Sequence, residues 1–237
     1  MKVKCNPIRR ESGFSLIELM VALVLGLVLM GAVLNSFLSS NETYRVQEAL
    51  SRSQESARFS LEIISQELRM AGYGNVRGPV LEGFLAATDD ADLPSSGDVK
   101  DDRTSQLIYI VPHDDGGDLS IYVAPDGQSG LATLYIDAQP SVEGVEDIRF
   151  EYGVTNGSAF DEVDQFQGAA AVTSWSDVIA IRVNILVSAG NAGLVDTAID
   201  FAADTPFDGY DTSDRRLYQV ISTTVALRNA MLDKSSD

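Results

Sequence analysis

The chain has 237 residues, enough for one substantial domain plus an N-terminal helix, and its 45% apolar content excludes a mainly disordered polypeptide. Its formal net charge is −18, a balance that repels phosphate backbones and argues against direct nucleic-acid binding. The single cysteine, Cys5, allows no intrachain disulfide, so the core must hold by packing.

Lys2, Lys4, Arg9 and Arg10 all precede the apolar stretch that begins at Phe14. No lipobox-like run precedes Cys5, which reads as an unremarkable residue of this basic leader. From Phe14 to Leu34 the chain is apolar for roughly 21 residues, about the length a helix needs to cross a bilayer. Cations flank only its N-terminal side, which predicts a cytoplasmic leader and a chain that continues across the membrane. A secretory signal fits poorly, because Glu18 interrupts the apolar core and no A-x-A-like cleavage site follows.

Gly13 followed by Phe14-Ser15-Leu16-Ile17-Glu18 and an apolar run resembles the class III signal of type IV pilins and type II secretion pseudopilins. The resemblance implies cleavage between Gly13 and Phe14 by a prepilin peptidase, with N-methylation of the new terminal Phe14. Physical chemistry makes Glu18 the residue to watch, since a carboxylate in a low-dielectric layer is costly without a cation. In the processed chain the nearest cation is the α-amino group of Phe14. In a filament the Phe14 amine of a neighbouring subunit is the better partner, because that pair also sets the axial register between helices. The competing reading pairs Glu18 within its own helix end or lets it reach the interface.

Beyond Asn35 the pattern stays helical. Val46, Leu50, Ser53, Ala57, Leu61, Ile64, Leu68 and Ala71 recur at spacings of three and four, predicting an amphipathic helix with i,i+4 support from Glu48/Arg52 and Arg58/Glu62. No proline lies between Phe14 and Ala71, and Gly72-Tyr73-Gly74-Asn75 is the predicted stop. Gly26 and Gly31 either weaken the apolar half or permit close helix packing.

From Gln106 the reading changes to strands, at residues 106–112, 119–124, 131–137, 145–154, 178–187 and 217–228, rich in Val, Ile, Tyr and Thr. Alternation at Ile148–Tyr152 and Ile179–Ile185 predicts one wet face, and the amphipathic helix is the layer available for the other. The fold class is therefore α+β, a long N-terminal helix packed on an antiparallel β head. The expected organisation is a leader at 1–13, a transmembrane and filament-core helix at 14–34, an amphipathic continuation at 35–75 and an acidic periplasmic head at 76–237. Polar loops at 78–103, 155–176 and 188–216 are the places where partners are chosen.

Val145–Gly153, Trp175–Val183, Arg216–Tyr218 and Thr223–Asn229, with Leu68–Gly74 closing the helix, resemble the PilW-type minor pilin. The resemblance implies the type IV pilin fold and a structural role in the bacterial inner membrane and the extracellular pilus. It implies priming of filament assembly and a place at or near the tip, supporting adhesion and twitching motility. Its implied partners are other minor pilins, the major pilin, the prepilin peptidase, the inner-membrane assembly platform and membrane lipid, and it admits a tip adhesin. A J-type minor pseudopilin of type II secretion is the alternative. Many pilins close a C-terminal loop with a disulfide, which this chain cannot do.

Catalytic chemistry is not legible. The sole histidine, His113, stands before Asp114-Asp115-Gly116-Gly117 as a turn residue, and there is no G-x-S-x-G, phosphate-binding loop or Cys/His cluster. No enzyme and no cofactor are expected. Asp204, Asp208, Asp211 and Asp214 read as a solvated acidic loop, with a loop-ordering Ca²⁺ as the minor alternative, since the spacing is not that of an EF-hand.

Overall fold

The computed structural model describes residues 15–73, 81–85, 103–110, 119–127, 131–156, 162–203 and 205–229. The chain divides into two units, residues 1–45 and 46–237. Helix α1 (Leu16–Met70) forms the described part of the first unit and opens the second. It ends where expected: Gly72 takes φ 68°, and the Tyr73 N–H donates to the Met70 carbonyl at 3.0 Å.

Within the first unit every described residue is exposed. One stretch reaches a mean hydropathy of 2.6, so the helix is long and apolar enough to cross a membrane by length and composition.

The second unit buries a narrow stripe of α1. Its buried residues are Ala49, Ser53, Ala57, Ser60, Ile64 and Leu68, followed by Ala71 past the helix end. Ser53, Ala57, Ile64, Leu68 and Ala71 of the expected stripe are among them, Leu61 packs against the core half-buried, Val46 is half-buried, and Leu50 departs, at 39% exposed. Small side chains occupy the centre because they let the helix backbone approach the strands, where Ser53 Oγ donates to Gln219 Oε1 at 3.2 Å. Of the two expected i,i+4 pairs, Arg52–Glu48 forms at 2.8 Å, and none joins Arg58 to Glu62.

The strands are β1 (Leu81–Phe84), β2 (Leu107–Ile110), β3 (Leu119–Pro125), β4 (Ala132–Ile136), β5 (Gln139–Glu143), β6 (Val145–Val154), β7 (Gln165–Gln167), β8 (Val178–Ala189) and β9 (Leu217–Ala226). They form two antiparallel sheets, ordered β1-β2-β3-β4-β5 and β7-β6-β8-β9. β1, β5 and β7 are additions to the predicted strands. β1 and β7 lie inside stretches expected to be loops, and β5 pairs with β4 across the tight turn Asp137-Ala138, whose φ values are 51° and 57°.

Gly144 joins the sheets. Its N–H donates to the Ala132 carbonyl on β4 at 2.9 Å, and its carbonyl accepts from the Ser188 N–H on β8 at 2.8 Å. At φ 82°, with Ser188 O standing 3.0 Å from where a Cβ would lie, the position demands glycine.

One core joins the helix to both sheets. Ala57, Ile64, Leu68 and Ala71 pack with Ile108, Ile121 and Leu134 of one sheet and Phe150, Ile181 and Val225 of the other. Burying such a side chain stabilises by about 1.5–3 kcal/mol each. The expectation of a wet outer face fails at β8, where Asn184 and Leu186 are buried along with their inward neighbours. For Leu186 the cause is the described part of residues 190–216, which packs Phe207, with the half-buried Ile199, Phe201 and Tyr210, onto Leu186 and Tyr218; Asn184 is engaged by Glu151 and Ser222. The first sheet is also buried on its second face, by Leu107, Tyr109, Tyr122 and Tyr135, with Tyr122 and Tyr135 stacked at 5.3 Å.

Candidate functional site

Two places stand out, one that sequence reasoning singled out and one that it did not. The first is the start of α1. Ser15 and Glu18 form half of a capping box, in which the Glu18 Oε2 accepts the Ser15 N–H at 3.2 Å. This is the intrahelical arrangement that competed with the filament reading, and it exists in the isolated chain. Glu18 is nevertheless exposed, at the first turn of a helix whose positive dipole end favours a carboxylate. A Cβ at Gly26 or Gly31 would meet nothing within 4 Å, so neither glycine answers a contact inside this chain. Gly13 and Phe14 lie outside the described residues, as do Cys5 and His113.

The second place is the underside of segment 190–216, built on the first residues of β6. Glu146, with its side chain 12% exposed, accepts from Ser188 Oγ, from Tyr210 OH at 3.4 Å and from Arg216 Nη1 at 3.3 Å. Arg216 Nε faces Asp214 Oδ2 at 3.0 Å as an ion pair, and Tyr218 OH donates to Asp214 Oδ1 at 2.9 Å. Burial, followed by the negative charge of Glu146, raises Tyr210 above the usual phenol value. Burial and the bond to Asp214 do the same for Tyr218. Both phenols are thus held as donors at neutral pH.

Alongside, Arg149 Nε donates to Asp147 Oδ2 at 3.0 Å and Nη1 donates to the Pro206 carbonyl, while the guanidinium lies 5.1 Å from the Phe207 ring centre. Burial pushes the Asp147 carboxyl up to about 6, outweighing the adjacent Arg149. The cluster does what a disulfide does in other loops: it fixes the segment to β6 and β8, with charge pairs and an aromatic core in place of a covalent bond. A cleft of about 550 Å³ opens beside it, lined by Arg52, Phe59, Leu131, Glu146, Ser188 and Arg216.

The acidic residues considered for Ca²⁺ are scattered among other duties. Asp211 accepts the Ser213 N–H, which lowers its pKa, and Asp214 serves Arg216 and Tyr218. Asp208 is exposed, and Asp204 lies outside the described residues. Among the described residues no three His, Cys, Asp or Glu side chains gather to hold a metal ion. The Glu146 cluster went unseen in the sequence because its members come from residues 146, 188 and 210–218, with no spacing to connect them.

An apolar helix opening on Ser15 and Glu18 and continuing into an antiparallel head is the architecture of a type IV pilin-like protein, and residues 8–34 match the prokaryotic N-terminal methylation motif. Residues 108–229, just over half of the chain, match the family described as Type IV Pilus-assembly protein W, and the chain belongs to that family. It is thus a minor component of the type IV pilin class, built as a structural protein with an N-terminal membrane-anchoring helix. Among solved structures, a type IV-like pilin from Thermus thermophilus is similar at 12% identity and a TM-score of 0.40, over 76% of this chain and 97% of that one. No match is found among curated proteins.

Proposed function

We propose that the chain is a minor pilin that primes filament assembly from the bacterial inner membrane and occupies a position at or near the pilus tip, supporting adhesion and twitching motility. The observation that carries this reading is the methylation motif at residues 8–34 joined to a head of the pilus-assembly W family. In this reading a prepilin peptidase cuts between Gly13 and Phe14 on the cytoplasmic side, and Phe14 becomes N-methylated. The segment 14–34 then anchors the chain with its head in the periplasm, until the helix leaves lipid for the filament bundle. Its partners there are the major pilin, the other minor pilins and a tip adhesin, brought together by the inner-membrane assembly platform.

Glu18 is the assembly residue. The capping contact to Ser15 satisfies an amide of the isolated helix, and exposure leaves the carboxylate accessible to the Phe14 amine of a neighbour. Transfer into a bundle replaces an intrahelical contact with an ion pair in a dry layer, where unpaired charge is expensive. The test is Glu18→Ala, scored by surface pili and by recovery of the chain in sheared filaments. The expected outcome is exclusion of the variant, and normal incorporation would sink the register role. Scoring gene deletion for surface pili against exoprotein release distinguishes this reading from a J-type pseudopilin.

A further inference from the structure

The described sheets end in four edge strands, and three of them are blunted against pairing. β1 is four residues long and carries Glu82; β7 is three residues long. β5 contains Pro140 and pairs across a register shift between Leu134 and Tyr135. Short length, charge, proline and irregular register are the usual means of keeping an edge unpaired. β9 uses none of them. It runs ten residues, pairs with β8 in unbroken register from Leu217 to Ala226, and contains neither proline nor a charged residue.

Among the described residues the other edge of β9 has no backbone partner, since it stands last in the order β7-β6-β8-β9. Ser222, Thr224 and Ala226 are exposed along it. The charged groups of this face sit further inside the sheet, where Arg182 on β8 pairs with Glu151 on β6 at 3.1 Å and lies 4.0 Å from the Phe166 ring centre. What β9 offers outward is a regular row of backbone donors and acceptors bordered by hydroxyls and methyls.

We propose that the free edge of β9 is a docking site for an extended, low-charge strand of a different chain, which continues the four-stranded sheet by main-chain hydrogen bonds. That this chain is another pilin-like subunit rests on the function proposed above; the edge pairing itself does not.

A second copy is the poorer occupant. Each chain carries a formal charge of −18, and like charges oppose close association. Ser53 bonds to Gln219 and Asn229 Nδ2 donates to the Ala71 carbonyl at 2.8 Å, so α1 and β9 run in the same direction. Antiparallel pairing of two β9 strands would put the two Val46 residues at opposite ends of the pair, whereas in the function proposed above both lead into the same apolar layer.

The test places a photo-crosslinking amino acid at Ser222 of the full chain in cells that make the assembly, with Ser141 on β5 as the control position. Crosslinked peptides are identified by mass spectrometry. The expected result is an adduct from position 222 to an extended segment of another pilin-like chain, absent from position 141 and lost in the Thr224→Lys variant. Unchanged melting of that variant shows that its head still folds. An adduct to a strand of a chain that is not pilin-like keeps the edge pairing and overturns the filament assignment. No adduct at 222, an adduct to a helix, or an adduct to β9 of a second copy overturns the inference.

Discussion

Tyr152 is fully buried in the core shared by the helix and both sheets, and its hydroxyl has no hydrogen-bond partner. Burial alone raises its pKa, so the group is a neutral phenol that has lost its water and gained nothing. Its ring is well placed, packed edge-on against Trp175 at 4.8 Å and 89°. Tyr152→Phe therefore removes the uncompensated hydroxyl and keeps the ring contact. An unsatisfied buried donor costs about 1–3 kcal/mol, so the Phe variant is expected to gain roughly 1–2 kcal/mol. For a domain of this size each kcal/mol raises Tm by about 2–4 °C. The assay is thermal unfolding of the head, residues 46–237, followed by near-UV circular dichroism of the Trp175 environment. Tyr152→Ala is the contrast, expected to lose about 3–5 kcal/mol through the cavity it leaves. A Phe variant that melts below the wild type would refute the reasoning, because it would mean that the hydroxyl is satisfied.

Three further outcomes follow from single positions. Asp147 has a folded pKa of about 6 against an ordinary 3.8, so the folded head holds its proton more tightly, and stability falls as pH rises through that window. By the standard conversion this amounts to about 3 kcal/mol; Asp147→Asn is expected to flatten the decline in denaturant titrations from about pH 4 to about pH 7. Ala138, at φ 57° in the β4–β5 turn, pays for a left-handed backbone without a glycine; Ala138→Gly is expected to raise the denaturation midpoint, by about 1 kcal/mol in stability. Gly83 allows Tyr152 to pass so closely that an added Cβ would stand 2.4 Å from its ring carbon Cζ; Gly83→Ala is expected to lower Tm, and Tyr152→Phe in the same chain should rescue it only in part.

The long helix and the major strands were legible because their periodicities, 3.6 and 2, extend over many residues. The stop at Gly72 was legible because only a residue tolerant of positive φ ends a helix in that way. What escaped detection depends on contacts between distant segments. β5 was hidden because Pro140 and the Asp137-Ala138 turn carry the wrong signals for a hairpin, and β7 because three residues display no period. The covered face of β8 was unpredictable from Ile179–Ile185 alone, since Phe207 and Tyr218 lie on the far side of a loop that reads as solvated. The same separation concealed Glu146, a largely buried acid whose three partners come from the end of β8 and from residues 210–216. The helix stripe was misplaced by one residue at Leu50, because close approach selected the alanine beside it.

Gly144 has a mechanical consequence. Its amide donates to β4 and its carbonyl accepts from β8, so the two sheets are tied to each other at a single residue. With one core behind both, the head has no internal hinge at this seam, and a force applied to either sheet is carried by the whole. The head then yields as one block.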